Sequence, residues 1–458
     1  MYRSHLLTNW LPTTKTWNRG KDRLWRAGLT GMTSAISKGL AIITGLVSVP
    51  LTVSYLGQER YGIWLTINSL LNWLAVSSLG LGGNALINGL SEASGKEDWE
   101  SARELVATAF WSLSGIAVLL LLIYAMVFPF VPWQFVFNAS GTLSTPELHW
   151  AISLSFICFV FLFPINITEA VYLSFQKGYI GNIWGIVGNL ASLVALIIVT
   201  KLEGGLPLLV IALFGVRILV SLANLWYLFS YEYPRLMPAP QAVTRQSFSR
   251  LSGLGIRYLV AQLAGIGMFQ SQPIMIAHLL GPAQVGVFNI AQRLLTLPLT
   301  IVQMFASPLM SAYGEANARG DRQWIRRTLK VSTIAAVLGT ACLTVPLIFW
   351  TGDIVRAWVG EQMIPERGLI LMLSFYGIVA AAVTPASVML YGVGRVGKQA
   401  LYACLNSLLT VGLGLWLTKT HSLSGTGAAM LIAVAVVNPL GQITEIRKVY
   451  KLWGKQEF

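Results

Sequence analysis

Five ionisable side chains lie inside long apolar segments of this sequence, away from the residues at the segment ends. Four are cations and one is an acid: Lys38, Arg217, Arg257 and Arg293, against Glu169. A charge in the middle of a bilayer costs about 2.5–3.5 kcal/mol on insertion scales, so such residues usually serve a function. Because the cations outnumber the acid, they cannot all pair with one another. The excess positive charge predicts an anionic ligand inside the membrane.

Arg293 belongs to a line of polar residues in one predicted helix. Spacings of three or four residues connect Asn289, Arg293, Thr296, Thr300, Gln303, Ser307 and Ser311. Such spacings keep side chains on one face of a helix, and Arg293 would lie roughly 14 Å into the bilayer at 1.5 Å per residue. The line predicts the wall of a polar cavity or, alternatively, a buried polar seam between helices. We take Arg293, Asn289, Thr296 and Gln303 as candidate substrate-binding residues.

For each of the other three cations, a simpler structural role is an alternative to substrate binding. Lys38 lies beside a similar polar line in the first predicted span, and Arg257 lies near the start of the seventh. Either side chain could bind substrate, or could extend along the helix to the lipid headgroups. Arg217 has no polar line around it, so we interpret it as part of a structural pair or a carbonyl cluster.

Glu169 is the one acid well inside a predicted span, since Glu445 lies one residue from the end of the last span. It could bind a proton or a sodium ion in a carrier that is driven by an ion gradient. It could equally pair with one of the intramembrane cations. No cofactor is expected beyond such a gradient.

No pattern for catalysis or metal binding can be recognised. The three cysteines lie far apart in apolar runs, and the four histidines form no cluster. These residues therefore make no disulfide framework, metal-ligand spacing or catalytic triad. The glycines within 392–397 spell G-x-G-x-x-G, but a dinucleotide site needs a preceding strand and a βαβ unit. We predict that the protein is not an enzyme.

The composition is that of a membrane protein with many spans. Hydrophobic residues make up 55% of the chain and charged residues 11%, whereas soluble domains carry about 25% charged residues. A helix needs about 20 apolar residues to cross a bilayer. This length predicts twelve spans, at 29–54, 61–90, 105–131, 149–175, 180–200, 206–231, 252–278, 284–313, 328–351, 368–391, 398–418 and 424–446. Strand-like alternation is absent, so we predict an all-α polytopic protein.

The distribution of positive charge predicts the orientation. With the N-terminus inside, 23 of the 32 Lys and Arg residues fall in inner segments or at the inner ends of spans, and 5 in outer loops. The positive-inside rule then places both termini in the cytoplasm. The net charge of +14 is explained in this way, and we expect no nucleic-acid partner.

The chain contains one unit of sequence used twice. YLGQERYGIW, at Tyr55–Trp64, returns as LLGPAQVGVF, at Leu279–Phe288, with both glycines matched at a shift of 224 residues. Further identities at shifts of 224 or 223 residues are Gly31 with Gly255, Glu92 with Glu315 and Asp98 with Asp321. Six spans separate the copies, so they share one orientation and should be related by a two-fold axis along the membrane normal. The intramembrane cations are not shared, which predicts that they fit an asymmetric ligand.

These features predict five segments. Residues 1–28 form a cytoplasmic, interfacial N-terminal segment, and residues 29–231 form an N-lobe of six helices. Residues 232–251 form a proline-containing linker with its own interfacial helix. Residues 252–446 form the C-lobe, and residues 447–458 form a basic cytoplasmic tail.

Two long segments resemble bacterial flippases for polysaccharide units of the O-antigen type. They are VPLTVSYLGQERYGIWLTINSLLNWLAVSSLGLGGNALINGLSEASGKED, at 49–98, and IAHLLGPAQVGVFNIAQRLLTLPLTIVQMFASPLMSAYGEANARGDRQW, at 276–324. The turn LYGVGRVGKQ, at 390–399, and the closing spans are similar as well. The resemblance covers about residues 27–450 and indicates the multidrug/oligosaccharidyl-lipid/polysaccharide (MOP) exporter superfamily. It implies two six-helix lobes in a V-shaped arrangement.

The resemblance also implies a function. Such a flippase moves a polyprenyl-pyrophosphate-linked oligosaccharide from the inner to the outer leaflet of the bacterial inner membrane by alternating access. Lys38, Arg257 and Arg293 would be the basic residues that line the lobe interface and meet the pyrophosphate, since guanidinium groups bind phosphate bidentately. Its partners would be the lipid-linked glycan, membrane lipids and the machinery that polymerises or exports polysaccharide.

Two alternatives remain open at this stage. A cation-coupled exporter of drugs or small molecules could use the same fold, but would be expected to hold several buried acids rather than one. A membrane scaffold without transport activity is a weaker alternative, because long polar lines run inside the predicted spans.

Overall fold

The computed structural model describes residues 19–139, 143–202, 205–304 and 306–454, which form helices joined by short turns, with no strand among them. The predicted all-α class is therefore confirmed. Contacts group these residues into two compact units. The first contains the described residues up to Tyr55, with Leu74–Pro132 and Thr145–Val260, and the second contains Leu56–Trp73, Trp133–Ser144 and the described residues from Ala261 onward. The predicted N-lobe, 29–231, includes both short segments that lie with the second unit.

Sixteen α-helices occur in the described part of the chain. The first nine are α1 (Arg19–Gly82), α2 (Asn84–Gly95), α3 (Trp99–Val127), α4 (Trp133–Val136), α5 (Thr145–Ile165), α6 (Ile167–Ser174), α7 (Gly178–Val199), α8 (Gly205–Val210) and α9 (Val216–Tyr227). The other seven are α10 (Arg245–Leu280), α11 (Pro282–Leu295), α12 (Leu297–Met304), α13 (Ala306–Ala318), α14 (Arg322–Val359), α15 (Arg367–Gly392) and α16 (Val396–Gly454). Wide π-helical turns, Ile211–Gly215 and Leu228–Glu232, follow α8 and α9.

The long apolar helices are consistent with the twelve predicted spans. Among the described residues, 8 helices are long and apolar enough to cross a membrane, and the pair α11 and α12, which is bent by 48°, makes a ninth if it counts as one span. Two of the eight, Leu29–Asn72 and Leu401–Lys451, contain 44 and 51 residues, about twice the length that a bilayer requires. Non-helical backbone interrupts them at Gly57 and at His421 and Ser422. Helix α10 also covers the predicted seventh span. Together, these long apolar helices show that the chain is a multi-pass membrane protein.

The two ends of the chain are only partly described. Helix α1 begins at Arg19 and continues without a break into the first span, so the described part of the predicted interfacial segment is an extension of that helix. At the other end, α16 continues to Gly454. Residues 1–18 and 455–458, which belong to the predicted interfacial segment and basic tail, lie outside the described residues.

Residues that match between the two copies of the repeat have the same structural roles. Asp98 precedes α3 and accepts a hydrogen bond from the backbone N–H of Ser101 at 3.0 Å. Asp321 precedes α14 and accepts one from the N–H of Trp324, also at 3.0 Å. A capping carboxylate satisfies a backbone donor that the first turn leaves free, and typically stabilises a helix by about 1 kcal/mol. The shared aspartates therefore mark one helix start that is used twice.

The matched glutamates also have equivalent partners. Glu92 pairs with Lys96 at 2.7 Å, and Glu315 pairs with Arg319 at 2.6 Å, each four residues further along the chain. The hydrogen bond from Lys96 and the positive charge of Arg250 lower the pKa of the Glu92 carboxyl. Such exposed pairs contribute little stability, so these acids are surface features of the scaffold.

The predicted linker packs against α3 in the first unit. The hydroxyls of Thr244 and Ser247 both donate to the carboxylate of Glu104, at 3.2 and 3.3 Å. The indole N–H of Trp111 donates to the carbonyl of Pro238 at 3.2 Å. The prolines of this segment prevent a continuous helix, and these hydrogen bonds hold the extended chain in place instead.

The first glycine of the repeated motif forms a left-handed turn in both copies. Gly57 has a φ of +73° and Gly281 a φ of +92°. Glycine adopts this backbone conformation without the steric penalty that a Cβ would bring. The turn lets the chain change direction before the helix that follows.

The second glycine forms a close helix crossing within the second unit. A Cβ on Gly62 would lie 1.6 Å from the carbonyl oxygen of Pro282, at the start of α11. A Cβ on Gly286, the matching residue, would lie 3.2 Å from Cδ1 of Tyr61. The helix that follows Gly57 and the helix that follows Gly281 therefore cross at the repeated motif, and Gly62 has no room for a side chain.

We expect Gly62→Ala to lower the thermal unfolding midpoint of the purified protein in detergent. The added methyl group would force the backbone of α1 away from α11, and overpacking of this kind typically costs about 1–3 kcal/mol. Gly31→Ala is the matched control, because Gly31 is another repeat-matched glycine and a Cβ there meets nothing within 4 Å. An equal change in both variants would contradict the close crossing.

Candidate functional site

The first unit contains a polar cavity of about 340 Å³ that α1, α6, α7 and α9 line. Among its lining residues are Asn166, Glu169, Asn189, Ser192, Arg217 and Ser221. Ligand sites in proteins usually measure about 300–1,000 Å³. Since the surrounding helices are apolar enough to cross a membrane, polar groups at this density indicate a site for water or a polar ligand.

Helix α7 provides one long wall of this cavity. Small and polar residues recur along it at spacings of three or four: Gly178, Asn182, Gly185, Asn189 and Ser192. From residue 178 to residue 192 the helix rises roughly 21 Å. The wall therefore covers more than half of a hydrocarbon core that is about 30 Å thick.

Three glycines of α7, Gly181, Gly185 and Gly188, leave room in this cavity, whereas a Cβ on Gly178 would lie 2.7 Å from Thr30. The sequence alone suggests that Gly181 and Gly185 form a close-packing pair. In the structure, a Cβ on Gly181 or Gly185 would lie 3.5 Å from the nearest atom, and one on Gly188 would lie 3.7 Å away. These are ordinary van der Waals distances, so alanine would fit without a clash. What the glycines provide is free volume beside the polar side chains.

Glu169 lies in the first turn of α6, which begins at Ile167 just after α5 ends at Ile165. Its side chain is exposed and lines the cavity. The positive end of a helix dipole favours a carboxylate at this position. No described cation lies within the 4.0 Å of an ion pair with Glu169. The carboxylate is therefore accessible to a ligand or an ion.

Arg217 lies on the same cavity, on α9. The sequence predicts that Arg217 belongs to a structural pair or a carbonyl cluster. In the structure, no carboxylate among the described residues forms an ion pair with Arg217, and its side chain is exposed. The π-helical turn Ile211–Gly215 directly precedes α9 and changes which face of the span Arg217 occupies, a feature often found at functional sites. No sequence signal indicated this turn, so the position of Arg217 could not be predicted.

A buried hydrogen-bond network supports the wall of the cavity. The Tyr172 hydroxyl donates to Oδ1 of Asn224 at 2.9 Å, and Nδ2 of Asn224 donates to the hydroxyl of Thr168 at 3.3 Å. On the opposite side, Nδ2 of Asn182 donates to the backbone carbonyl of Thr30 at 3.2 Å and so joins α7 to α1. No sequence signal predicts a role for these amides, although the spacing of Asn182 and Asn189 places them on one face of a helix.

Arg293 lies in the second unit, in the last turn of α11. Helix α11 ends at Leu295, and α12 leaves at an angle of 48°. The negative end of the α11 dipole favours a cation at this bend. Arg293 is half-buried, and the neighbouring Tyr61 is 3% exposed. No carboxylate in the described residues forms an ion pair with Arg293.

The bend interrupts the straight polar face that the spacing predicts around Arg293. Asn289 and Thr296 are half-buried, whereas Gln303 lies beyond the bend and is exposed. The side chains of Ser307 and Ser311 lie outside the described residues. The physical reason for the break is Pro298, which lacks the N–H that a continuous helix needs.

The threonines near the bend use their hydroxyl hydrogens within the helix. Thr296 donates to the carbonyl of Gln292 at 2.7 Å, and Thr300 donates to the carbonyl of Thr296 at 3.1 Å. Their oxygens remain available only as acceptors. On the α11 side of the bend, Arg293 and Asn289 are therefore the candidate donors for an anion, and the amide of Gln303 lies beyond the bend.

The two other predicted cations have different positions. Lys38 lies on α1 and is exposed, and its neighbour Ser37 lines the cavity of the first unit while Lys38 does not. Arg257 lies within α10, but its side chain is outside the described residues. Their proposed contacts with substrate stay predictions.

The sequence matches known proteins of polysaccharide assembly. Residues 30–313, more than half of the chain, match the family described as polysaccharide biosynthesis protein. A protein of Yersinia pseudotuberculosis that is named for O-antigen export is 23% identical over 166 residues. This alignment spans 36% of each of the two chains, so it covers about a third of that relative.

Solved structures of transporters share the fold over nearly the whole chain. An inward-facing multidrug resistance transporter of the MATE family, in the MOP superfamily, has a TM-score of 0.77 and 15% identity, covering 90% of this chain and 95% of that one. The lipid II flippase MurJ, inward closed, has a TM-score of 0.69 and 15% identity, covering 90% and 87%. A MOP superfamily transporter from Pyrococcus furiosus has a TM-score of 0.61 and 16% identity, covering 96% and 99%. At these identities the similarity shows the fold, which confirms the predicted superfamily architecture.

We expect Tyr172→Phe to destabilise the protein by about 1–3 kcal/mol, the typical cost of a buried acceptor that loses its donor. Tyr172 is 0% exposed, and its hydroxyl is the described donor to Oδ1 of Asn224. Thermal unfolding of the purified protein measures the effect. Tyr391→Phe is the matched control, because Tyr391 is 38% exposed and its hydroxyl forms no described hydrogen bond. Equal midpoints for the two variants would show that the network contributes nothing.

Proposed function

Because the chain belongs to the polysaccharide biosynthesis protein family, we propose that it is a flippase for a polyprenyl-pyrophosphate-linked oligosaccharide. It moves this lipid from the inner to the outer leaflet of the bacterial inner membrane by alternating access. The relative that is named for O-antigen export and the fold shared with a lipid II flippase support this class of substrate. Both termini lie in the cytoplasm, as the distribution of Lys and Arg predicts.

The observation that carries the proposal is Arg293. It is a half-buried guanidinium at the bend of a broken membrane span, and no described carboxylate neutralises it. A cation in this setting requires an anion, and a guanidinium offers a planar pair of donors that matches phosphate oxygens. Arg293 therefore binds the pyrophosphate, with Asn289 as a second donor. Thr296 and Gln303 on this span, and Lys38 and Arg257, remain candidates for further contacts with the substrate.

The balance of intramembrane charge supports a lipid phosphate over the alternative substrate. A cation-coupled exporter of drugs would need acids to receive its cargo. Glu169 is the one acid well inside a predicted span, and Glu445 lies one residue from the end of the last span. Glu445 is buried but pairs with Lys448 at 2.9 Å. The alternative function therefore has a single acid without a described ion-pair partner to support it.

Glu169 is our candidate for coupling transport to an ion gradient. It lies on the polar cavity of the first unit, is exposed there, and forms no ion pair with a described cation. A carboxylate in this position can bind a proton or a sodium ion when the gradient supplies one. Among the machinery of polysaccharide assembly, the polymerase that receives the flipped unit is the expected partner.

We expect Arg293→Ala to reduce surface polysaccharide at least about tenfold, which corresponds to the loss of about 1.4 kcal/mol of binding. Arg293→Lys should retain part of the activity, since the charge remains while the bidentate geometry is lost. The measurement is surface polysaccharide per cell at matched protein levels in the membrane. Arg356→Ala is a suitable control, because Arg356 is exposed and pairs with Asp353 at 3.1 Å. Full transport by Arg293→Ala would contradict the assignment.

For Glu169 we expect Glu169→Gln to uncouple transport from the ion gradient. The amide is similar in shape but cannot take up a proton or balance a sodium ion. Initial rates should be measured in membrane vesicles with and without imposed proton and sodium gradients. Glu366→Gln is the control, because Glu366 is exposed and accepts hydrogen bonds from Ser424 at 2.7 Å. Unchanged rates and unchanged ion dependence would remove Glu169 as the coupling residue.

A further inference from the structure

Several polar side chains on the cavity of the first unit have no protein partner among the described residues. They include Asn166, Asn189, Ser192 and Ser221. Polar groups in membrane-spanning helices are costly when they are unsatisfied. The cavity thus holds unused hydrogen-bonding capacity that the proposed roles of Arg293 and Glu169 do not explain.

The chemistry of these groups is mixed. Amides and hydroxyls can both donate and accept hydrogen bonds, Arg217 can only donate, and the ionised Glu169 can only accept. The cavity lining contains one guanidinium and one carboxylate, so its net charge is close to zero. An anion would need an excess of donors and positive charge, and a cation would need an excess of acids. A neutral molecule with many hydroxyls fits this mixture, because each hydroxyl both donates and accepts.

An aromatic ring is also part of the wall. Trp184 lies on α7 among the lining residues, and its ring centroid is 6.1 Å from that of Tyr227. An indole combines a broad apolar face with one N–H donor. Sugar rings have an apolar face of C–H bonds and an edge of hydroxyls, so an indole beside amide groups can contact both.

We propose that this cavity binds a neutral sugar residue of the transported glycan. The inference rests on the proposed flippase function and assigns the glycan to the first unit, while the phosphate is assigned to Arg293. Trp184 contacts the apolar face of the sugar ring, and Asn189, Ser192 and Ser221 hydrogen-bond its hydroxyls. The volume that the ring occupies comes from three glycines of α7, Gly181, Gly185 and Gly188.

The first experiment compares substitutions of tryptophan. Trp184→Ala should reduce surface polysaccharide about tenfold at matched protein levels, which corresponds to about 1.4 kcal/mol of binding, whereas Trp184→Phe should retain most of it. Trp226→Ala is the matched control on the neighbouring helix, because Trp226 is 61% exposed and does not line the cavity. Normal transport by Trp184→Ala would overturn the proposal.

The second experiment tests occupancy directly and does not depend on transport. In a protein whose three cysteines are replaced, Ser221→Cys is labelled with a small hydrophilic maleimide in membrane vesicles. The vesicles come from cells that make the lipid-linked glycan or from cells blocked at its first sugar transfer. We expect labelling to be several-fold slower when the glycan is present. Ser230→Cys, at an exposed position outside the cavity lining, should react equally in both.

Each result is decisive. Equal labelling of Ser221→Cys in both vesicles, or no labelling in either, would overturn the proposal. Protection by added polyprenyl pyrophosphate without sugar, or by the cationic dye ethidium, would overturn it in favour of those ligands. If Arg293→Ala blocks transport while Ser221→Cys is not protected, only the sugar assignment fails. If Arg293→Ala transports normally, the proposed function fails instead.

Discussion

A helix inside a bilayer can hold a charge only where a helix end or a polar cavity stabilises it. Glu169 and Arg293, the two charges of the proposed mechanism, each lie at a helix end that a break in a span creates. Glu169 follows the break between α5 and α6 and lies at a helix N-terminus, whereas Arg293 precedes the bend between α11 and α12 and lies at a helix C-terminus. The helix dipole favours the sign of each charge at its position. The breaks thus create places for charge that continuous helices would not offer.

The repeated sequence supplies the scaffold, and the unrepeated residues supply the chemistry. The matched aspartates cap equivalent helices, and Gly62 packs on α11 where Gly286 meets Tyr61. The residue that matches Arg293 in the first copy is Ser69, which is 4% exposed and donates to the carbonyl of Leu65 at 3.0 Å. One copy thus buries a satisfied hydroxyl where the other holds a cation that has no ion-pair partner in the described part of the chain. A ligand whose two ends differ needs different residues in the two copies of the repeat, and this difference provides them.

The surroundings of Arg293 and the cavity of the first unit differ in chemical character. Around Arg293 the threonines donate to their own helix, so a cation and an amide are the available donors. In the cavity, one guanidinium and one carboxylate balance, and they are surrounded by amides and hydroxyls that have no partner among the residues the structure describes. The first environment suits a phosphate and the second suits a neutral, hydroxyl-rich group. A lipid-linked oligosaccharide contains both parts.

Hydrophobic length, charge and repeat spacing act through local sequence, so the sequence by itself determined the all-α class, the spans, the doubled unit and the five intramembrane charges. It did not determine which of these charges meet. Arg217 and Glu169 line one cavity, although residues 170–216 separate them and the sequence interpretation gave Arg217 a structural role. The π turn before α9 and the breaks after Ile165 and Leu295 change which helix face each residue occupies. The tertiary structure decided these positions, because they depend on packing between helices that are distant in the chain.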